Sequence, residues 1–387
     1  MITRKATYEI KKQMQIFPAV AILGSRQCGK STLVKMMSHD FPNLLYIDLQ
    51  NRMQRMQLHD PVLFFQHNRN CTICLDEVQL IPELFDYLRS EIDADRRNGR
   101  FILLGSASRK LLQHTTESLA GRIGLIDLTP FSINEVAPYH EYTIDKFWFR
   151  GGYPDSYLAP NDDFSAIWRE NYLRTYIEHD IPQLAFQIAA PTMMRLITML
   201  AHEHGAILNN SKLSSAMGLS SPTIRHYIDI LEATYILRIL PPYFVNIKKR
   251  LTKTPRIYFR DSGLLHQILG IKDFNHLLGH SVVGMSWEGM VIENICSAVK
   301  GAKFSFHRSA NGSEEMDLVV EYPDHLIAIE CKSSTEPQVT DGFYRAIETL
   351  KPTHTYIVCP INNEYPFAEG VTVTGLLPLV EKLVSCQ

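Results

Sequence analysis

Two glycines, a lysine and a serine stand at a fixed spacing in the segment Gly24-Ser-Arg-Gln-Cys-Gly-Lys-Ser31, which fits the pattern G-x-x-x-x-G-K-[ST]. Gly24 and Gly29 allow the backbone to bend so that its N–H groups face a phosphate. Lys30 can reach the β- and γ-phosphates of a nucleotide, and Ser31 can hold Mg²⁺. We therefore expect ATP and Mg²⁺ as cofactors. The predicted phosphate loop comprises Gly24, Ser25, Arg26, Gln27, Cys28, Gly29, Lys30, Ser31 and Thr32.

The segments on either side of this loop favour the same interpretation. Residues 19–23 are a short apolar run that predicts a buried strand, and residues 32–37 predict a helix. A strand before the loop and a helix after it are the context that the motif requires. The alternative is a glycine-rich turn that leads into an ordinary helix.

A second chemical pattern follows in residues 71–78, where a mostly apolar run ends in Asp76 and Glu77. A buried strand that ends in two carboxylates is typical of a Walker B strand, because parallel sheets bind ligands at the carboxyl edge. We expect Asp76 to hold Mg²⁺, directly or through water. We expect Glu77 to act as the general base that polarises the attacking water.

Ser106 and Arg122 are further candidates for contact with the nucleotide. Ser106 follows the apolar run 101–105, where additional-strand ATPases place a polar sensor near the γ-phosphate, although a serine there is equally suited to cap a helix. Arg122 opens the next predicted strand. It is a candidate arginine finger, acting in its own chain or on a neighbouring subunit, or else an ordinary arginine in a salt bridge.

Several segments together resemble a known family over nearly the whole chain. They follow, in order and spacing, the bacterial and archaeal AAA-type ATPases whose C-terminal half has long been labelled a domain of unknown function. The resemblance implies an additional-strand P-loop core, with Lys30, Ser31, Asp76 and Glu77 in the roles given above. The segments are GSRQCGKST, CLDEVQL, LLGSAS, SLAGRIGLIDLTPFS, FRGGYPDSYL and, farther along, RDSGLL.

Residues 191–260 predict the order helix, helix, turn, helix, strand, strand, which is typical of a winged helix. The third helix carries Arg225 on or near its polar face, and a basic loop between the strands predicts a wing suited to phosphate contacts. DNA is the expected partner. The alternative is a winged helix that packs against the other domains and binds proteins. The wing cations are Lys248, Lys249, Arg250 and Lys253.

Residues 286–359 predict the order α-β-β-β-α-β, which resembles the core of the PD-(D/E)xK nuclease-like fold. Asp317 opens the second strand, and Glu330 and Lys332 lie two apart on the third, so both point to one face. Carboxylates there, with Glu288 of the preceding helix, are suited to hold Mg²⁺ against a scissile phosphate while Lys332 stabilises charge. The alternative is a nuclease-like fold that has lost catalysis and serves as a docking module.

Composition limits the remaining possibilities. The net charge of −2 over 387 residues gives no overall attraction to nucleic acid or to an anionic membrane, so any such contact needs a local patch. The seven cysteines are scattered, and the lone pair Cys71 and Cys74 lies in an apolar run, which favours burial over zinc or redox chemistry. No apolar run approaches the ~20 residues of a membrane span. No signal peptide is apparent, so we expect a cytoplasmic protein without a membrane partner.

The sequence thus predicts an α/β multidomain protein: an additional-strand P-loop NTPase of AAA type with a helical lid, a winged helix and a PD-(D/E)xK-like α/β domain. The predicted boundaries are 1–130, 131–190, 191–270 and 271–387. The expected function is Mg-dependent ATP hydrolysis coupled to an action on DNA. The alternative is a nucleotide-switched protein-binding module whose terminal domain is catalytically silent. A homo-oligomer and a protein partner of the terminal domain are both compatible with the sequence.

Overall fold

The structure is a computed structural model, and it describes residues 2–41, 43–106, 119–183, 188–243, 254–309 and 312–385. The chain divides into two compact units. The first contains residues 1–131 and 233–235, and the second contains residues 132–232 and 236–387. The predicted boundaries at residues 190 and 270 therefore fall inside the second unit.

A parallel sheet forms the centre of the first unit, and its described strands follow the order β2-β3-β4-β1-β5. The strand β4 lies between β1 and β3 and pairs with both in parallel. This placement is the additional-strand arrangement that the sequence predicted, and it brings the carboxyl ends of β1, β3 and β4 to one edge. The strands are β1 (Ala19–Leu23), β2 (Leu45–Asp48), β3 (Ile73–Asp76), β4 (Phe101–Gly105) and β5 (Ile123–Asp127).

Two apolar layers cover the faces of this sheet. Along β1, Ala21 and Leu23 pack into one layer, whereas Val20 and Ile22 pack into the other, as the alternation of strand side chains requires. Burial on both faces explains why the strand is a continuous apolar run. The α-helices are Ala6–Ile16, Lys30–Met36, Arg52–Met56, Pro61–His67 and Leu84–Ala94.

The second unit begins with helices and a short antiparallel hairpin. Residues Leu173, Leu196, Ile228 and Leu265, from four different helices, are buried in one apolar core. Strand β6 (Leu237–Leu240) pairs antiparallel with β7 (Arg256–Phe259). The helices are Ile133–Val136, Ile144–Arg150, Pro154–Tyr157, Asp162–Thr175, Ala190–His202, Asn210–Met217, Ser221–Ala233, Ser262–Ile268 and Phe274–Leu278, with a π-helical turn at Tyr176–Asp180 and a short helix at Ile181–Gln183.

The predicted order of three helices and two strands in residues 191–260 is present. Gly218, with φ of +66°, ends the second helix in the left-handed conformation that glycine adopts readily. The predicted wing residues Lys248, Lys249, Arg250 and Lys253 lie outside the described residues.

Two of the segments that resemble the AAA-type family meet in a buried turn of the second unit. Gly151 has φ of +74°, and a Cβ atom there would lie 2.2 Å from a carboxylate oxygen of Asp261. The Gly152 N–H donates to Asp261 at 2.8 Å, and the Leu264 N–H donates to the same carboxylate at 2.9 Å. The segments FRGGYP and RDSGLL therefore form one structural element, which explains the glycine at residue 151 by conformation and space.

The described strands after the hairpin form a mixed sheet in the order β12-β13-β11-β10-β9-β8. The predicted order α-β-β-β-α-β is present, and β12 and β13 extend the sheet beyond it. Strand β10 pairs antiparallel with β9 and parallel with β11. The strands are β8 (Lys303–Arg308), β9 (Glu315–Glu321), β10 (Leu326–Cys331), β11 (His354–Cys359), β12 (Glu364–Ala368) and β13 (Val371–Gly375), with helices Val283–Ala298, Asp341–Leu350 and Leu376–Ser385.

Across the ranges described above, no helix is both long enough and apolar enough to cross a bilayer.

Two buried histidines of the second unit are hydrogen-bonded in their neutral form. The Phe259 N–H donates to His204 Nδ1 at 3.0 Å, which leaves Nε2 to donate to the Met285 carbonyl at 3.1 Å. His266 Nδ1 lies 3.0 Å from the Phe149 carbonyl, and its Nε2 lies 2.7 Å from the Ser286 hydroxyl. Burial lowers the pKa of His204 to about 4 and the pKa of His266 to about 3.

We expect the second unit to lose stability as the pH falls below 6.5, the ordinary pKa of histidine. Below this pH the two histidines bind protons in the unfolded chain but not in the folded chain. The free energy of unfolding therefore decreases as the pH falls from 6.5 towards the lowered pKa of the folded state. Each histidine should remove on the order of 1 kcal/mol of unfolding free energy between pH 7 and 5.5. Urea unfolding at both pH values should show a smaller loss for His204→Asn than for wild type. The exposed His202→Asn is the control, and a His204→Asn chain with the wild-type pH dependence would contradict the account.

Candidate nucleotide site and carboxylate cluster

The phosphate loop connects β1 to the helix Lys30–Met36 at the carboxyl edge of the first sheet. Gly29, with φ of +98°, precedes the helix, and Gln27 has φ of +59°. A Cβ atom on Gly24 would lie 2.1 Å from the Leu128 carbonyl oxygen. The two glycines of the motif are therefore required for different reasons: Gly24 by space and Gly29 by conformation.

Lys30 lies against the loop that precedes it. Its Nζ donates to the Gly24 carbonyl at 2.9 Å and to the Ser25 carbonyl at 2.8 Å, and the residue is 5% exposed. These carbonyls hold the ammonium group at the mouth of the loop. A bound phosphate would compete with the carbonyls for the ammonium group.

Asp76 and Ser31 meet at the same edge, as the sequence predicted. The Ser31 hydroxyl donates to Asp76 Oδ2 at 2.6 Å, and the Glu77 N–H donates to Oδ1 at 2.9 Å. The Tyr46 hydroxyl also donates to Oδ2, and burial together with this bond raises the pKa of Tyr46. A hydroxyl beside a carboxylate supplies the oxygen ligands that Mg²⁺ prefers, so these residues fit the expected ion. Sequence reasoning missed Tyr46, whose only signal is a polar group within an apolar strand.

Glu77 is held beside Ser106 at this edge. It has φ of +58°, an uncommon conformation for a residue with a side chain. The Ser106 hydroxyl donates to Glu77 Oε2 at 3.0 Å, and the Gln79 amide donates to both Glu77 and Ser106, the latter at 2.8 Å. Ser106 thus lies beside Glu77 at the carboxyl edge of the sheet, and its contact with the γ-phosphate stays a prediction. Gln79, which links the two side chains, was not predicted.

The structure does not bring Arg122 to this chain's own site, which corrects the prediction of a contact there. Strand β5 runs parallel to β1, with Ile123 opposite Ala19, so Arg122 lies at the amino edge of the sheet. The length of β1, roughly 15 Å, separates this edge from the phosphate loop. Arg122 forms an exposed ion pair with Asp93, with its Nε 2.7 Å from Oδ1. A finger that acts on a neighbouring subunit stays a prediction.

The predicted residues of the terminal domain also converge. Lys332 Nζ lies 2.8 Å from Glu330 Oε1, and the Cys331 N–H donates to Asp317 Oδ2 at 2.9 Å. Burial and the nearby charge of Asp317 raise the pKa of Glu288 and the pKa of Glu330, while the neighbouring cations Arg256 and Lys332 act in the opposite direction. Glu288, Asp317, Glu330 and Lys332 are called the carboxylate cluster below.

An arginine that the sequence analysis did not single out lies within the carboxylate cluster. Arg256 of β7 donates from Nη1 to Glu288 at 3.1 Å and to Asp317 at 3.4 Å, and from Nη2 to Glu315. Tyr258 donates to Glu288 at 2.5 Å. In the part of the chain that is described, no three histidine, cysteine, aspartate or glutamate side chains are arranged to hold a metal ion. The cluster as it stands therefore does not fit the Mg²⁺ expected at Glu288, Asp317 and Glu330.

Arg225, the predicted DNA contact in the helix Ser221–Ala233, is 43% exposed along its side chain. Its Nε lies 3.0 Å from Asp229 Oδ1, one turn farther along. The acidic neighbour reduces the positive charge that this face offers to a phosphate, and the DNA contact stays a prediction.

Comparison with known families divides the chain into three matched segments. An AAA domain family matches residues 17–137. Two families described as domains of unknown function, DUF8612 and DUF4143, match residues 141–275 and 283–379, respectively.

Similar whole proteins occur in mycobacteria. An uncharacterized protein of Mycobacterium tuberculosis is 34% identical over 368 residues, which cover 95% of this chain and 82% of the relative. An uncharacterized protein of Mycobacterium bovis has the same identity and coverage. Among solved structures, a Walker-type ATPase of Pyrococcus abyssi aligns with a TM-score of 0.50 at 12% identity, covering 70% of this chain and 96% of that one. At this identity the likeness shows a shared fold alone.

We expect Gly24→Ala to weaken nucleotide binding at least about tenfold, because the methyl group would displace the loop from the Leu128 carbonyl. Titration with a fluorescent ATP analogue measures the effect. Gly284→Ala is the control, since a Cβ atom there meets nothing within 4 Å. Wild-type affinity in Gly24→Ala would show that the loop does not need this close approach.

Proposed function

The chain belongs to the family of AAA-domain proteins that includes the two mycobacterial relatives, and from this premise we propose that it binds and hydrolyses ATP. The observation that carries the proposal is the meeting of Ser31, Asp76, Glu77 and Ser106 at the mouth of the phosphate loop. These residues lie at the ends of two strands and in one helix, and their side chains match the parts that phosphoryl transfer requires.

Each residue has a distinct part in the proposed reaction. The backbone N–H groups of the loop bind phosphate oxygens, and the Lys30 ammonium moves from the Gly24 and Ser25 carbonyls to the β- and γ-phosphates. Ser31 and Asp76 would hold Mg²⁺, which neutralises phosphate charge when it is bound. Glu77 orients and polarises the water that attacks the γ-phosphate.

The contacts of Glu77 suggest how its carboxylate is positioned. Ser106 and Gln79 both donate to it, so it is held beside a group that would also face the γ-phosphate. A change at the γ-phosphate can thus reach the general base through one hydroxyl. Gln79 acts here as a positioning residue, since it touches Glu77 and Ser106 rather than the nucleotide.

Lys30→Ala should abolish ATP hydrolysis, with a loss of at least about 100-fold, because it removes the cation that stabilises the transferring phosphate. The fold should persist, since the hydrogen bonds of the ammonium within the described part of the chain go to two loop carbonyls. Phosphate release with Mg²⁺ measures turnover, and thermal melting measures the fold. The exposed Lys12→Ala is the control for the loss of one positive charge. Native melting with wild-type turnover in Lys30→Ala would overturn the ATPase proposal.

Gln79→Ala should lower kcat for ATP about tenfold, because it removes one hydrogen bond to a charged carboxylate. KM for ATP should change little, since Gln79 does not lie on the phosphate loop. Steady-state kinetics separate the two constants, with the exposed Gln57→Ala as the matched control. An increase of KM with unchanged kcat would place Gln79 in binding rather than in positioning.

We further propose DNA as the partner, through Arg225 and the basic residues Lys248, Lys249, Arg250 and Lys253. The support is the order of helices and strands in residues 191–260 together with the local charge of this segment. The test is ATP turnover with and without duplex DNA, together with binding of the duplex to wild type and Arg225→Ala.

Arg256 occupies the carboxylate cluster, and this favours a second candidate function. The chain would then be a nucleotide-switched protein-binding module with a catalytically silent terminal domain. Its support is the arginine that binds Glu288 and Asp317. Turnover that responds to duplex DNA, with weaker binding by Arg225→Ala, would favour the DNA proposal. Turnover indifferent to DNA, with no binding of the duplex, would favour the second candidate.

A further inference from the structure

The carboxylate cluster receives two side chains from the hairpin that precedes the terminal domain. Arg256 and Tyr258 are two residues apart on β7, so they point to the same face of the strand. The Arg256 side chain is 6% exposed, and its guanidinium lies 4.8 Å from the centre of the Phe306 ring. A guanidinium that packs against an aromatic ring and donates hydrogen bonds from both Nη atoms is held firmly in this position.

The hydrogen bonds of the cluster use the carboxylate oxygens that a metal ion would need. Glu288 Oε1 accepts from Arg256 and from Tyr258. Both oxygens of Asp317 accept hydrogen bonds, one from Arg256 and the other from the Cys331 N–H. Glu330 Oε1 faces Lys332. Among the described residues, Glu330 Oε2 has no hydrogen-bond partner, and the two hydrogen bonds of Glu288 both go to its Oε1, so two oxygens remain, which fall short of the several ligands that Mg²⁺ requires.

Because both are positively charged, Arg256 and a divalent ion cannot both bind Glu288 and Asp317 in this arrangement. Glu288 and Asp317 have side chains that are 4% and 11% exposed, so water screens the site little. A divalent ion on these two carboxylates would lie within a few ångströms of the guanidinium, where the repulsion of like charges is strong. The arginine neutralises the same pair of carboxylates without that cost.

We propose that Arg256 takes the place of a divalent metal in the carboxylate cluster, so that the chain in this conformation does not bind one there. The hairpin thereby occupies the position of the metal, and the ion pairs of Arg256 with Glu288 and Asp317 hold β7 against the terminal domain. The inference concerns the second unit alone and does not rest on the proposed ATPase reaction.

The test is Mn²⁺ binding to the whole 387-residue chain without nucleotide, measured by electron paramagnetic resonance. Wild type should show no bound Mn²⁺ that depends on Asp317. Arg256→Gln should gain one Mn²⁺ per chain, because it frees oxygens of Glu288 and Asp317 and removes the competing charge. The double variant Arg256→Gln with Asp317→Asn should lose this ion again. Arg308→Gln is the matched control, since it removes an exposed cation near Glu315 and leaves Arg256 in place.

Two outcomes would overturn the proposal. One is saturable Mn²⁺ binding by wild type that Asp317→Asn abolishes, a result that does not depend on the folding of any Arg256 variant. The other is a folded Arg256→Gln chain that gains no Mn²⁺. Arg256→Met provides a second variant of similar size if the glutamine variant does not fold, and the same gain is expected from it.

Discussion

The position of β4 between β1 and β3 is the constraint on which the nucleotide site depends. Because β4 is hydrogen-bonded in parallel register to both strands, the phosphate loop, Asp76 and Ser106 emerge at one edge of the sheet. Glu77 then adopts an uncommon left-handed conformation and meets the hydroxyl of Ser106. A strand order in which β3 and β4 were not neighbours would add at least one more strand spacing, roughly 5 Å, between Glu77 and Ser106, which exceeds the reach of a hydrogen bond.

The second unit is stabilised in a different manner, by buried polar groups with matched partners. Asp261 accepts backbone N–H groups from both sides of a turn, and His266 contacts a carbonyl and a hydroxyl. In the carboxylate cluster the arginine of β7 supplies the cation that the buried acids need. Such groups are costly to leave unpaired, so each partner is required once the other is buried. The segments FRGGYP and RDSGLL of this unit thus meet a structural requirement.

The sequence predicted the parts of the site that belong to recognisable local motifs. The spacing of Gly24, Gly29, Lys30 and Ser31 determines the loop locally, and Asp76 and Glu77 end a recognisable strand. Gln79 and Tyr46 could not be placed, because their partners depend on the order and register of strands. The sequence left the role of Arg122 open for the same reason: the parallel register of β5 puts it at the opposite edge, where it pairs with Asp93 rather than with this chain's own nucleotide site. Arg256 was missed because Glu288 and Asp317 lie 32 and 61 residues away along the chain.

The most direct test of the central claim is single-turnover ATP hydrolysis by wild type and Glu77→Gln at saturating ATP and Mg²⁺, with nucleotide binding measured in parallel. The account predicts nearly equal binding and a hydrolysis rate at least about 100-fold lower in the variant, the usual contribution of a general base. Wild-type hydrolysis by Glu77→Gln would show that another group activates the water. That result would contradict the role of Glu77 as the general base at this edge of the sheet.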